Sequence, residues 1–105
     1  MTTTVIVTVA VDTPFEEDKA LAEFEASAPR YRGMQGLLRK YYVLSEDRRT
    51  VGGIYVFRSR AAADALYTES WRASVRQRYG AEPDFAWYDT PVIVDNAAAG
   101  ASSAA

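Results

Sequence analysis

The sequence predicts an α+β, ferredoxin-like fold of order β-α-β-β-α-β, an antiparallel sheet carrying its helices on one face. Three observations lead there. Val5, Val7, Val9 and Val11 alternate with Ile6, Thr8 and Ala10, the period of a strand with both faces at least partly covered. Gly36 to Phe57, GLLRKYYVLSEDRRTVGGIYVF, reads as two strands about a polar turn. Segments of helical spacing follow the first strand and follow the hairpin, and a last strand-like run closes the chain.

Asp12-Thr13-Pro14 ends the first strand. Thr13 suits an N-cap, Pro14 the first helical position and Glu16 a capping box, so a helix is expected from there to about Ala28. Leu21, Phe24 and Ala28, with Phe15 at the start, form its inner stripe, while Glu16, Glu17, Asp18, Lys19 and Glu23 face water. Pro29 is expected to stop it. Strands follow over Leu37–Leu44 and Val51–Phe57, joined by the charged turn Ser45–Thr50. A symmetric hairpin sets Leu44 opposite Val51, Tyr42 opposite Gly53, Lys40 opposite Tyr55 and Leu38 opposite Phe57, all on one face. A bulge near Gly52-Gly53 would break that register.

Ser59 caps the next helix, with Ala62, Ala65 and Leu66 as its buried line. Thr68-Glu69-Ser70 supplies fresh capping chemistry, so the helix is expected to break and restart there. Trp71, Val75 and Tyr79 then recur at i, i+4, i+8, and Gly80 is a left-handed C-cap. Phe85–Thr90 is the fourth strand, Pro91 interrupts it, and Val92–Val94 continues as a short arm. Residues 1–96 are thus expected to form one domain, and the Ala/Gly/Ser stretch 97–105 a flexible tail. Helices on one sheet face leave the other bare, for which a second copy of the chain is the expected cover.

A formal net charge of −2, with basic residues interleaved among acids, argues against nucleic acid as a partner. There is no cysteine, which removes disulfides, thiolate nucleophiles, iron–sulfur clusters and cysteine-ligated zinc. There is no histidine, which removes the commonest general base and metal ligand and the usual haem ligand. Catalysis in this chain is left to carboxylates, Lys, Arg, Tyr, Trp, hydroxyls or backbone, and no cofactor or metal is expected. No apolar run approaches the ~20 residues of a membrane helix. No targeting pattern is evident, so the expected location is cytoplasmic.

Thr13-Pro14-Phe15, Gly36-Leu37-Leu38 with Lys40, Gly52-Gly53-Ile54-Tyr55-Val56-Phe57 and the closing Asp89–Asn96 segment give the chain a resemblance over roughly residues 4–96. It resembles the dimeric α/β-barrel superfamily, and within it the mono-oxygenase (YdhR-like) group. That resemblance implies a homodimer whose sheets meet face to face, each subunit keeping a small pocket between its sheet and its helices. It also implies oxidoreductase chemistry, since several relatives are cofactor-independent mono-oxygenases or oxidases of aromatic polyketides and quinone precursors. Haem-degrading relatives use a histidine, which this chain lacks.

Lys40 and Tyr55 are the sharpest candidates. Opposed across the hairpin, an ammonium and a phenol would stabilise an enolate or phenolate oxygen. The competing structural role is a Lys40 that snorkels from an edge strand to water above a merely packed Tyr55. Trp71 and Tyr79 at the helix break would wall a pocket for an aromatic ligand, or simply be core. Tyr42 and Arg72 complete the candidate binding set. Arg72 shares a helix face with Arg76, where a solvated stripe competes with an anion clamp. Phe85 and Trp87 read as core or interface. Asp64, Glu69 and Asp95 are the carboxylates to test as a base. The expected function is a cofactor-independent mono-oxygenase acting on an aromatic or polyketide-type small molecule. A cyclase or isomerase working through an enolate, and a non-catalytic ligand-binding dimer, are the alternatives.

Overall fold

The β-branched alternation at the N-terminus forms strand β1 (Thr3–Ala10), whose Val5, Val7 and Val9 are buried under the helices. The computed structural model describes residues 1–97. After β1 come α1 (Glu17–Tyr31), β2 (Leu37–Leu44), β3 (Thr50–Phe57), α2 (Arg60–Leu66), α3 (Glu69–Tyr79) and β4 (Asp84–Asp89). The sheet is antiparallel with order β2-β3-β1-β4, which is the ferredoxin-like α+β fold. Burying each valine of β1 contributes about 1.5–3 kcal/mol, so this central strand anchors the fold.

The hairpin register agrees with the sequence at Leu44↔Val51, Tyr42↔Gly53 and Lys40↔Tyr55. It differs at the far end. The irregularity falls at Leu38, between Leu37 and Arg39, so Leu37 rather than Leu38 opposes Phe57, and Leu38 turns out to solvent. The double glycine carries no bulge. A Cβ on Gly52 would collide with the Val7 carbonyl of the neighbouring strand, and one on Gly53 would meet the Tyr55 ring and the Lys40 stem at 2.9 and 3.2 Å. Both glycines therefore serve close approach, one of backbone and one of side chains.

Three local expectations are corrected. The segment from Val11 to Phe15 stays non-helical because its amides bond the turn of the hairpin, Val11 to the Arg49 carbonyl and Phe15 to that of Arg48. Helix α1 consequently starts at Glu17 with Glu16 as N-cap, and Thr13 caps nothing. Pro29 lies inside α1, which continues to Tyr31. A proline this close to the C-terminus forfeits one hydrogen bond, and the contacts that Tyr31 makes with the sheet offset it. The buried side of α1 runs through Ala20, Phe24, Ser27 and Ala28, leaving Leu21 exposed.

The second helical region breaks as its capping residues indicate. The Ser59 hydroxyl accepts from the Ala62 amide and the Thr68 hydroxyl from that of Trp71. Gly80 closes α3 in the left-handed conformation at φ 76°. On α2 the buried pair is Ala63 and Tyr67, with Ala62 and Leu66 flanking and Ala65 exposed. Tyr67 crosses Tyr55, Phe57, Trp71, Phe85 and Trp87 edge to face, with centroids 4.8–5.8 Å apart. Phe85 and Trp87 are thus core, each covered by an arginine, Arg72 and Arg60 respectively. Of the expected tail, 98–105 lies outside the described residues. Among the described residues no helix is long and apolar enough to cross a membrane.

Candidate active site

The period of β2 and β3 sends Lys40, Tyr42, Tyr55 and Val51 to the helix face, and Gly53 leaves a gap among them. Helices α1 and α3 bridge that gap. The cavity is about 70 Å³ and is lined by Phe24, Ser27 and Tyr31 from α1, by the hairpin residues, and by Trp71, Val75 and Tyr79 from α3. The i, i+4, i+8 line of α3 is therefore a pocket wall. Between α1 and α3 the cavity opens to a cleft of about 280 Å³ bounded by Glu23, Ser27, Arg30 and Arg78.

Lys40 lies on an edge strand but does not reach out to water. Its Nζ sits 3.5, 4.0 and 4.7 Å from the ring centres of Tyr31, Tyr42 and Tyr55. No carboxylate pairs with it among the described residues. Burial, together with the charges of Arg30 and Arg78, lowers its ammonium to about 7. The three ring faces attract a cation and act in the opposite sense. The result is an amine poised between its charged and neutral forms near neutral pH.

Tyr55 is deep, and its ring rather than its hydroxyl faces Lys40. Burial, with the neighbouring Tyr31 and Tyr67 phenols, pushes Tyr55 far above the usual phenol range. It is a neutral donor and never a phenolate in this setting. Burial likewise raises Tyr42, whose hydroxyl shares a 2.6 Å hydrogen bond with Ser27 while its ring stacks on Phe24 at 4.8 Å. Trp71 Nε1 donates to the Tyr31 hydroxyl at 3.1 Å, fixing the indole against the end of α1. Tyr79 is raised first by burial and then by the Glu23 charge, which places that carboxylate beside it.

Of the candidates read from the sequence, Lys40, Tyr42, Tyr55, Trp71 and Tyr79 come together on this one cavity. Arg72 does not; its guanidinium lies 4.3 Å over the Phe85 ring. The three candidate bases are elsewhere: Asp64 pairs with Arg60, Glu69 with Arg76 and Asp95 with Arg39. The carboxylate that does line the cavity is Glu23, expected in water but with Oε1 buried and without a hydrogen-bond partner. Tyr31, Ser27, Arg30 and Arg78 also went unread. Glu23, Ser27 and Tyr31 share one face of α1 at i, i+4, i+8, and that spacing was the available signal. Among the described residues no group of three His, Cys, Asp or Glu side chains is placed to hold a metal.

Solved structures share this fold. SnoaB, a cofactor-independent oxygenase from Streptomyces nogalater, is 13% identical with a TM-score of 0.62, covering 89% of this chain and 96% of its own. The monooxygenase from the gene ActVA-Orf6 of Streptomyces coelicolor, determined with the ligand nanaomycin D, is 18% identical with a TM-score of 0.65, covering 90% and 92%. Rv0793 from Mycobacterium tuberculosis is 17% identical with a TM-score of 0.68, covering 90% and 100%. At these identities the likeness is one of fold. Comparison with curated proteins finds no significant match. In sequence, residues 5–82 match the family described as "Putative mono-oxygenase ydhR", a span that stops short of β4 and the Asp89–Asn96 segment. Covering well over half of the chain, that match makes this protein a member of the ydhR mono-oxygenase family.

Proposed function

We propose that the protein is a cofactor-independent mono-oxygenase for an aromatic or polyketide-type small molecule bound between sheet and helices. The observation that carries this reading is Lys40, a carboxylate-free amine near pKa 7 inside an aromatic cavity. An acidic anthrone or phenol binds with its reacting ring in the cavity and the rest of its skeleton in the α1–α3 cleft. Neutral Lys40 takes the acidic proton and, as ammonium, holds the resulting oxygen anion. Tyr55 contributes a neutral donor and ring wall, Trp71 and Tyr79 flat walls, and Tyr42 a second wall beside Lys40. The bound carbanion passes one electron to dioxygen, and recombination forms a C–O bond. The peroxide takes up the proton and loses water, turning a ring CH2 into C=O with one oxygen atom leaving as water. The electrons come from the substrate, so the balance requires no reductant.

Oxygen uptake with an anthrone is the direct test. Uptake by metal-free protein, lost by at least about tenfold in Lys40→Ala, is expected. No uptake, or uptake indifferent to Lys40, would overturn the reading. The same anion-holding groups suit an isomerase or cyclase acting through an enolate, and only that activity would survive removal of oxygen. A homodimer is part of the proposal. Leu38, Tyr41 and Tyr88 are exposed on the helix-free sheet face beside the arm residues Val92, Ile93 and Val94, an apolar surface suited to a second copy. Light scattering should give twice the chain mass, and one chain mass at working concentrations would remove the dimer from the proposal.

A further inference from the structure

Arg39, Arg48, Arg60 and Arg76 each pair with a carboxylate. Arg30 and Arg78 pair with none among the described residues, yet both line the α1–α3 cleft and the inner cavity behind it. Their charges are felt at Lys40. Among the described residues, Glu23 is the one carboxylate on either lining. With Lys40 protonated, three cations against one anion leave two uncompensated positive charges around a largely aromatic space. Arg30 and Arg78 are solvent-exposed, so their repulsion is screened, and a bound anion relieves it together with that felt at the more buried Lys40. Guanidinium forks match the planar, two-oxygen shape of a carboxylate, whereas a lone ammonium suits a single oxygen.

We propose that the ligand is an aromatic acid with two anionic groups, a phenolate or enolate oxygen at Lys40 and a carboxylate held at the mouth by Arg30 and Arg78. This rests on the cavity being the substrate site, and it adds the class of substrate that the site selects. The two charges of such a ligand neutralise the excess left by the three cations and Glu23. Because Glu23 borders the same cleft, it opposes the carboxylate and limits how tightly it is held.

The probe pair is 4-hydroxy-3-nitrobenzoate and its methyl ester, which differ in the carboxylate charge and report binding through nitrophenolate absorbance. At neutral pH and low salt the acid is expected to bind about tenfold more tightly, a gap that shrinks as salt is added. The double variant Arg30→Gln/Arg78→Gln should bring the acid to the affinity of the ester, which itself changes far less than the acid. Arg72→Gln, which removes a charge outside the cavity, should change neither. Glu23→Gln should tighten the acid more than the ester. Equal affinities in the parent, a gap that survives the double variant, or no binding of the acid would each overturn the proposal. Oxygen uptake is a separate readout. A gap without uptake retains the anion site and removes the mono-oxygenase reading, and uptake without a gap does the reverse.

Discussion

The helix-covered face of the sheet has two ends built from the same residue types with opposite outcomes. Under α2, Phe57 faces Leu37 across the hairpin and Tyr67 fills the space above it, so rings close on rings. Under α1 and α3, Tyr42 faces Gly53, whose missing Cβ lets the Lys40 stem and the Tyr55 ring close in beside the cavity. One missing Cβ, four residues from Phe57 along the same strand, separates a packed core from a cavity. Aromatic content does not distinguish the two ends. What each cross-strand pair leaves unfilled does.

Changes at either end should break or sharpen that contrast. Phe57→Ala strikes the closed end and should cost about 3–5 kcal/mol in denaturant unfolding, because a fully buried ring leaves a cavity that neighbours cannot refill. Gly53→Val, which places branched carbon where Tyr55 and Lys40 lie, should cost about 1–3 kcal/mol and abolish binding of the nitrobenzoate probe. If binding survived, the gap would not be the ligand site.

Lys40→Met tests the charge of the open end through pH. The Lys40 ammonium falls from 10.5 to about 7 on folding, so between those values the unfolded chain binds more protons. Its destabilising contribution is full below pH 7 and fades as pH rises toward 10.5. The methionine variant should therefore be more stable than the parent by a margin that is largest below pH 7 and gone near pH 10.5. A difference independent of pH would place the amine in water. The smallest effect is expected at Tyr67. Its buried hydroxyl has no hydrogen-bond partner, and burial pushes the phenol upward, so Tyr67→Phe should stabilise by about 1 kcal/mol. A loss of stability would mean that the hydroxyl is satisfied.

Much of this was legible along the chain. Period-two alternation placed Lys40, Tyr42, Tyr55 and Gly53 in register, and hydroxyl caps placed the starts of α2 and α3. The misreadings share one cause, which is that each residue was judged by type. Glu23 was sent to water because it is charged, although its position on α1 faces the cavity. Pro29 reads as a stop, although α1 continues past it to Tyr31, whose ring packs on Tyr55. Arg72 reads as a binding cation by its charge, although its guanidinium covers the Phe85 ring outside the cavity.

The sequence by itself determined the element order, the pairing of the hairpin and the ferredoxin-like fold, since backbone period and capping are local properties. Only the tertiary structure decided that Gly53 opens a cavity, that Lys40 turns inward among three tyrosines, and that Arg30 and Arg78 meet at its mouth. Those residues lie on β2, β3, α1 and α3, and no local pattern reports which side chains from separate elements will line one cavity and its mouth.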